Sequence, residues 1–182
     1  AASLQNIAKS GRKIMFVATK KQAKTYVSEK AKELNMPYVT ERWLGGMLTN
    51  FSTIRKSLKK LSSIDNMENQ DTYTQDFSKK ERLMISRDKD KLEKALGGIS
   101  TLNRIPAALF VVDIKHEEIA IKEAKKLNIP IYGMVDTNSD PNQIDFEIPS
   151  NDDSFTSVSI IIDYISESIA EGLKEREKIK EE

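Results

Sequence analysis

The sequence contains no cysteine among its 182 residues, so disulfide bonds and thiolate metal sites are excluded. It has only one histidine and one tryptophan, and a lone histidine without cysteine leaves out the common zinc ligand sets. It also lacks an apolar run near the roughly 20 residues that a helix needs to cross a bilayer. We therefore expect no membrane contact, and the composition is compatible with a reducing cytoplasm.

Positive charge is missing from residues 128–173, which contain nine acidic side chains and neither lysine nor arginine. Residues 1–60 have the opposite balance, with 13 basic side chains against 3 acidic ones, and residues 61–182 have 16 against 25. The first part is therefore net +10 and the remainder net −9, although the whole chain is net +1. This asymmetry favours one face that binds a polyanion; the alternative is chance clustering of solvated charges.

Short apolar segments alternate with helical patterns, which is typical of a parallel sheet covered by helices on both faces. Residues 1–11 have the spacing of a helix that begins further upstream, and Thr19 is the predicted cap of the next helix. Asn35 and Asn128 are each followed by a proline two residues later and are predicted to end helices. The predicted strands are residues 13–18, 37–40, 107–113, 131–136 and 146–148. We predict an α/β fold, a flavodoxin-like doubly wound parallel sheet.

Residues 48–96 interrupt this alternation because they contain no strand pattern. The first half has apolar residues three and four apart, and a polar turn near residues 68–77 separates it from a second helix beginning at Ser78. Its seam residues are Phe51, Ile54, Leu58, Leu61 and Ile64, and those of the second helix are Leu83, Leu92, Ala95 and Leu96. Two helices with one narrow seam each can bury it only against each other, so we predict an inserted antiparallel coiled-coil helical hairpin.

These patterns divide the chain into three parts. The predicted sheet domain is discontinuous and spans residues 1–46 and 99–173, the hairpin spans 47–98, and a charged tail spans 174–182. A glycine pair stands at each end of the hairpin, and we predict hinges there because glycine lets the backbone turn sharply. The hinge residues are Gly45, Gly46, Gly97 and Gly98.

The segment Glu-Arg-Trp-Leu-Gly-Gly, residues 41–46, holds the only tryptophan. Arg42 and Trp43 could bind RNA, because the arginine can contact a phosphate and the indole ring can stack on a base. The alternative, favoured for Trp43, is packing where the hairpin meets the sheet. Basic residues from the first helix start, this segment and the hairpin form the predicted RNA-binding set: Lys20, Lys21, Lys24, Arg42, Arg55, Lys56, Lys59 and Lys60.

An enzyme would bind its ligand beyond the carboxyl ends of the strands. The loop before Lys20 and Lys21 could hold an anion at a helix start, but it lacks the glycines of a phosphate-binding loop. Asp113 and Asp136 could bind Mg²⁺ or a ribose, although capping of the following turns is the favoured interpretation. His116 is interpreted as structural. We predict no catalytic residue, metal or cofactor, and the alternative function is a nucleotide- or phosphometabolite-binding flavodoxin-like enzyme.

Longer segments of the sequence resemble the bacterial small-subunit ribosomal protein two family. The resemblance runs from about Ile7 to Gly172, and it is most specific in two segments, residues 42–57 (RWLGGMLTNFSTIRKS) and residues 135–153 (VDTNSDP to IPSNDD). It implies a sheet domain with a coiled-coil hairpin, a cytoplasmic, ribosome-bound location and no catalysis. It further implies contact with small-subunit ribosomal RNA and with other small-subunit proteins, including the large, flexible first protein that helps capture messenger RNA.

Overall fold

The computed structural model describes residues 1–68 and 77–181, and in that part of the chain it contains a five-stranded parallel sheet. The sheet order is β2-β1-β3-β4-β5, and every neighbouring pair is parallel. This is the strand order of flavodoxin-like sheets. The strands are β1 (Ile14–Val17), β2 (Tyr38–Val39), β3 (Ala108–Val111), β4 (Ile131–Val135) and β5 (Phe146–Pro149). The predicted α/β fold with a parallel sheet is confirmed.

Helices connect and cover these strands. They are α1 (Ala2–Lys9), α2 (Lys21–Glu33), α3 (Phe51–Glu68), α4 (Lys79–Leu96), α5 (Glu118–Lys126) and α6 (Phe155–Glu181), with short 3₁₀ turns at Gly97–Ile99 and Pro141–Gln143. The chain leaves α2 and α5 through Asn35 and Asn128, whose φ angles are +51° and +53°. Asparagine tolerates this left-handed conformation, which agrees with the two predicted helix ends. Within the described ranges, no helix combines the length and apolarity needed to cross a bilayer.

Two apolar layers lie on opposite faces of the sheet because successive strand residues point to opposite sides. Met15 and Val17 of β1 belong to the layer covered by α5 and by the base of the hairpin. Ile14 and Phe16 belong to the other layer, which α1, α2 and α6 cover. The central strands are therefore buried on both faces, as the continuous apolar runs in the sequence predict.

Thr19 does not cap α2, and that prediction is wrong. The helix begins at Lys21 after the cap residue Lys20, without a side-chain capping hydrogen bond. The Thr19 hydroxyl instead donates to a carboxylate oxygen of Glu117 and lies 2.9 Å from Nδ1 of His116. The hydroxyl is therefore directed to the loop after β3 rather than to the first amides of α2. The same contact gives His116 a structural partner.

The insertion between β2 and β3 contains two 18-residue helices, α3 and α4. Lys89 of α4 joins them by ion pairs to Asp65 at 2.8 Å and Glu68 at 2.6 Å. A capping box formed by Ser78 and Glu81 begins α4. The antiparallel coiled-coil packing and the domain boundaries stay predictions, and most of the predicted polar turn, residues 69–76, lies outside the described residues.

The apolar seam of the hairpin is strongest near the sheet. Ile54 and Leu96 are buried in the layer beneath α5, and Leu92 and Ala95 pack against that layer. Leu83 is 52% exposed, so its assignment to the seam is wrong. Beyond Ile64, the contact between α3 and α4 includes ion pairs of Asp65 and Glu68 with Lys89. Helical spacing alone cannot reveal this change of partner.

Candidate nucleic-acid interface

The base of the hairpin is held by a single buried carboxylate, Glu123 of α5, which is 8% exposed. One of its oxygens accepts a hydrogen bond from Trp43 Nε1 at 3.1 Å and from the Gly46 amide at 2.7 Å. The other oxygen accepts from the Leu48 amide at 2.9 Å and from both the amide and the hydroxyl of Thr49, at 2.9 and 3.1 Å. A side chain of the sheet domain thus fixes the turn that leads into α3.

The electrostatics of Glu123 agree with an ionised group. Burial by itself would raise its pKa, but the hydrogen bonds from Thr49, Leu48, Trp43 and Gly46 outweigh burial and lower the pKa. A carboxylate that accepts several backbone amides remains charged inside a protein. The ionised carboxylate is therefore stabilised by the hydrogen bonds that hold the turn before α3.

Trp43 is 6% exposed and belongs to the apolar layer around Glu123. The preferred interpretation of this residue, packing at the junction of hairpin and sheet, is confirmed. Its neighbour Arg42 is exposed, so the two adjacent side chains have different roles. Arg42 lines a small cavity of about 200 Å³ together with Thr19 and His116.

The four glycines at the hairpin base differ in what they require. Gly46 has a φ of +86°, where a side chain is strained, whereas a Cβ on Gly45 would meet only open space. A Cβ on Gly98 would lie 2.2 Å from the carbonyl oxygen of Tyr38, so β2 approaches this glycine directly. Gly97 is in the right-handed helical region with φ −54°. Backbone geometry therefore demands glycine at Gly46 and Gly98.

The basic residues of α3 lie on its exposed face, away from the buried Ile54. Arg55, Lys56 and Lys59 have no carboxylate within ion-pair distance among the described residues. Lys60 pairs with Asp88 of α4 at 3.6 Å, with both side chains more than half exposed. Such an exposed pair contributes little to stability, so its lysine can exchange the carboxylate for another anion.

The predicted RNA-binding residues of the sheet domain differ in exposure and in their ion pairs. Lys21 and Arg42 are exposed, and no ion pair to either is present in the described part of the chain. Lys24 pairs with Glu41 at 3.1 Å, and both side chains are 36% exposed. Lys20 is mostly buried and contacts three carboxylates, so its geometry is that of an internal counterion.

The three carboxylates around Lys20 come from the carboxyl ends of the strands. Its Nζ lies 3.1 Å from Asp113, 2.7 Å from Asp152 and 2.6 Å from Asp153. Burial would lower the pKa of Lys20, but the hydrogen bonds to Asp152, Asp153 and Asp113 raise it. The pKa of Asp152 is raised, chiefly by burial, against the effect of its hydrogen bond to Lys20. This cluster occupies the place where an open parallel sheet would bind a ligand.

The two strand-end aspartates cap local backbone, which was the favoured interpretation. Asp113 accepts a hydrogen bond from the His116 amide at 3.0 Å. Asp136 accepts from the amides of Thr137 at 2.6 Å and Asp152 at 3.3 Å, and these bonds lower its pKa. One oxygen each of Asp136, Asp152 and Asp153 lies within 4.8 Å of the others, which is close enough to hold a divalent cation.

Glu123 and Glu117 are positioning residues that were not predicted from the sequence. Glu117 is 3% exposed and accepts hydrogen bonds from the amide and hydroxyl of Thr19, the amide at 3.1 Å. Glu123 stands in α5 and Glu117 directly before it, where an acidic residue is ordinarily solvated. The only available signal was the position of Glu123 beside Ala120 and Ala124 on the apolar face of α5.

Comparison with known proteins finds one matching family and several similar proteins. The sequence model of the family described as ribosomal protein S2 matches residues 1–172. Small ribosomal subunit protein uS2 of Cytophaga hutchinsonii is 58% identical over 181 residues, covering 100% of this chain and 71% of the relative. The protein of the same name from Christiangramia forsetii is 62% identical over 174 residues, covering 96% and 58%.

A third relative, small ribosomal subunit protein uS2 of Flavobacterium johnsoniae, is 60% identical over 179 residues, covering 98% of this chain and 70% of the relative. The chain thus spans between 58% and 71% of the length of these three proteins. The residues of the hairpin, Glu123 and the residues of the Lys20 cluster all lie within residues 1–172, the range that the family model matches.

Proposed function

The chain belongs to the ribosomal protein S2 family, and from this premise we propose that it is a structural component of the small ribosomal subunit that binds ribosomal RNA. The observation that carries the proposal is the family match over residues 1–172, together with relatives that are named as small-subunit proteins. That name denotes a ribosomal component and no enzyme, in agreement with the expectation of no catalysis. The protein would act in the cytoplasm, bound to the ribosome.

RNA binding is assigned to the cationic part of the chain. The exposed face of α3 presents Arg55, Lys56 and Lys59 without carboxylate partners among the described residues, and Arg42 and Lys21 extend this cationic surface at the sheet domain. Contacts of this kind neutralise phosphates and fix the position of a protein on folded RNA without reading its sequence. Lys24 and Lys60 can join them by leaving their exposed carboxylates.

Lys20 takes a different part in this proposal. Its ammonium holds Asp113, Asp152 and Asp153 together, so it orders the start of α2, the helix that presents Lys21 and Lys24. The contact with RNA is then made by its neighbours. Glu123 has the equivalent role for the hairpin, because it fixes the backbone from Gly46 to Thr49 just before α3 begins.

The acidic residues 128–173 are assigned to protein neighbours, including the large, flexible first protein of the subunit that helps capture messenger RNA. This part of the chain has no basic side chain that could hold phosphate. It also exposes two large apolar residues one helical turn apart on α6, Ile160 at 63% and Tyr164 at 64%. A surface of this composition suits a protein partner better than a nucleic acid.

Sucrose-gradient sedimentation tests the proposal directly. Small subunits that lack this protein are mixed with the 182-residue chain, and the chain is expected to sediment with them. The triple substitution Arg55→Glu, Lys56→Glu and Lys59→Glu is expected to weaken this association by at least about tenfold, since each reversal replaces a phosphate contact by repulsion.

The matched control carries the same change of charge at Lys115→Glu, Lys125→Glu and Lys126→Glu, which are exposed on and beside α5. It should sediment like the unmodified chain. Recovery of the unmodified chain only in the free fractions would reject the ribosomal assignment. Equal losses in the two triple variants would reject the assignment of RNA contact to α3.

A further inference from the structure

A second cationic feature lies at the amino-terminal edge of the sheet, opposite the Lys20 cluster. The segments entering β1 and β3 enclose an open cavity of about 530 Å³. Hydrogen bonding from the Ala107 amide to the Lys13 carbonyl, at 2.8 Å, joins these two segments. The volume falls within the roughly 300–1,000 Å³ of ligand pockets. The lining residues are Gly11, Arg12, Lys13, Thr101, Leu102, Asn103, Arg104, Ile105, Pro106 and Ala107.

The cavity is positively charged without internal compensation. Among the described residues that line it, Arg12, Lys13 and Arg104 are basic and none is acidic. Arg176 of α6 adds a fourth cation, because a Cβ placed on Gly11 would lie 2.4 Å from its Cζ atom. Within the described part of the chain, no carboxylate lies within ion-pair distance of these four groups. Burial chiefly, and then the positive charge of the neighbouring Arg176, lower the pKa of Lys13.

The charge of the cavity is combined with an apolar wall. Ile105 is 44% exposed there, and the adjoining Leu102 and Pro106 are buried beneath it. Thr101 and Asn103 place polar side chains on the same rim. A cluster of solvated lysines would have no such apolar wall. An acidic peptide would need only the positive charges and not the wall. Guanidinium groups bind phosphate in a bidentate manner, while guanidinium planes and apolar side chains both pack against an unstacked base.

We propose that this cavity binds one unpaired nucleotide of a single-stranded RNA segment, with the phosphate on Arg12 and Arg104 and the base against Ile105. The inference rests on the proposed function, in which the protein already lies against ribosomal RNA. It adds a contact at the amino-terminal edge of the sheet, whereas the Lys20 cluster lies at the carboxyl-terminal edge. Arg176 and Lys13 supply the surrounding positive potential.

Fluorescence anisotropy with the 182-residue chain tests this site. The probes are a 12-nucleotide single-stranded RNA, the 12-base-pair RNA duplex of the same sequence, and a peptide of ten glutamates. The single strand is expected to bind about tenfold more tightly than the duplex, because only unpaired bases can enter the cavity. Arg12→Gln with Arg104→Gln should weaken single-strand binding about tenfold and reduce the salt slope by about 0.7, because the two arginines share one phosphate.

Two further variants separate this site from bulk charge. Lys125→Gln with Lys126→Gln removes the same charge elsewhere and should leave both affinity and slope nearly unchanged. Ile105→Ser should lower single-strand affinity while leaving the salt slope unchanged, since it removes a contact with the base only. Equal effects of the two double variants, or equal binding of duplex and single strand, would reject the site. So would a glutamate peptide that binds more tightly than the single-stranded RNA and loses this binding in Arg12→Gln with Arg104→Gln.

The outcomes also distinguish this inference from the proposed function. If the chain sediments with small subunits but Arg12→Gln with Arg104→Gln binds RNA like its control, the nucleotide site is rejected and the ribosomal role is kept. If the chain fails to sediment with small subunits but its binding of single-stranded RNA still depends on Arg12 and Arg104, only the ribosomal role is rejected. Cross-linking from position 105 in assembled subunits free of messenger RNA identifies ribosomal RNA as the source of the nucleotide.

Discussion

The indole Nε1 of Trp43 donates a hydrogen bond to Oε1 of Glu123, 3.1 Å away, across 80 residues of sequence. The same oxygen accepts from the Gly46 amide, which belongs to the residue with the left-handed φ of +86°. One buried carboxylate therefore links the sheet domain, the tryptophan and the turn before the hairpin. The direction in which α3 presents its cations depends on this contact.

The first prediction concerns Glu123→Gln. The amide side chain keeps the shape of glutamate but replaces one accepting oxygen by an NH₂ group, which faces hydrogen-bond donors on the backbone. Loss of charge-assisted bonds and the new mismatch should lower the free energy of unfolding by about 3 kcal/mol. Urea unfolding measures this, and Glu118→Gln on the exposed side of α5 is the control, with an expected change within about 0.5 kcal/mol. Equal stability of the two variants would contradict the role of Glu123.

The same carboxylate predicts a pH dependence. Because the pKa of Glu123 is lower in the folded protein than in the unfolded chain, its contribution to stability is complete above the unfolded pKa of about 4.3. The contribution is lost as the pH falls below that value toward the folded pKa. Between pH 6 and pH 3, the difference in stability between the unmodified chain and Glu123→Gln should therefore shrink, and a constant difference would show that ionised Glu123 is not the cause.

The second prediction compares the adjacent glycines at the end of α4. Gly98→Ala places a Cβ 2.2 Å from the Tyr38 carbonyl oxygen, so β2 must move and the protein should lose about 2–3 kcal/mol of stability. Gly97→Ala meets only Glu93 Cγ at 3.5 Å and has helical geometry. It should be neutral or stabilise by about 0.5 kcal/mol. Thermal unfolding of both variants checks this order, and a reversed order would show that β2 is not packed against Gly98.

The third prediction compares the glycines before α3. Gly46→Ala must adopt a positive φ and should cost about 1–2 kcal/mol. Gly45→Ala has open space and no such strain, so its unfolding free energy should change by less than about 0.5 kcal/mol. If Gly46→Ala also turns the hairpin, its association with small subunits should fall, whereas Gly45→Ala should associate normally. Normal stability and assembly with Gly46→Ala would argue against a hinge at this residue.

The fourth prediction separates the adjacent lysines Lys20 and Lys21. Lys20→Gln leaves three carboxylates without their cation and should destabilise the fold by about 3 kcal/mol, while the salt slope of RNA binding changes little. Lys21→Gln should leave stability within about 0.5 kcal/mol and reduce the salt slope by about 0.7–0.9. Urea unfolding and RNA titrations over a range of salt concentrations measure the two effects. An equal loss of slope in both variants would place Lys20 on RNA as well.

Much of the sheet was predictable because its signals are local. The segments around Phe16 and Phe110 are short, apolar and buried on both faces, so composition alone reveals them. Asn35 and Asn128 end their helices through their own backbone conformation. Because these features depend on residues close in sequence, they could be predicted without knowledge of the tertiary contacts.

The positioning residues depend on distant contacts and were not predictable. Glu123 has the appearance of a surface glutamate on a helix, and its five hydrogen bonds come from residues 74 to 80 positions earlier. Thr19 has the sequence signature of a helix cap, but Glu117 takes its hydroxyl. Leu83 fits a helical seam by spacing, but its side chain is 52% exposed. In each case the partner decides the role, and a single sequence does not contain the partner.

A reconstruction of the small subunit containing this chain, at a resolution that places side chains, tests the central claim most directly. The account predicts that the side-chain nitrogens of Arg55, Lys56 and Lys59 lie within about 4 Å of phosphate oxygens, while Lys20 remains on Asp113, Asp152 and Asp153. A hairpin whose three cations face open solvent, with no nucleic acid beside them, would contradict it.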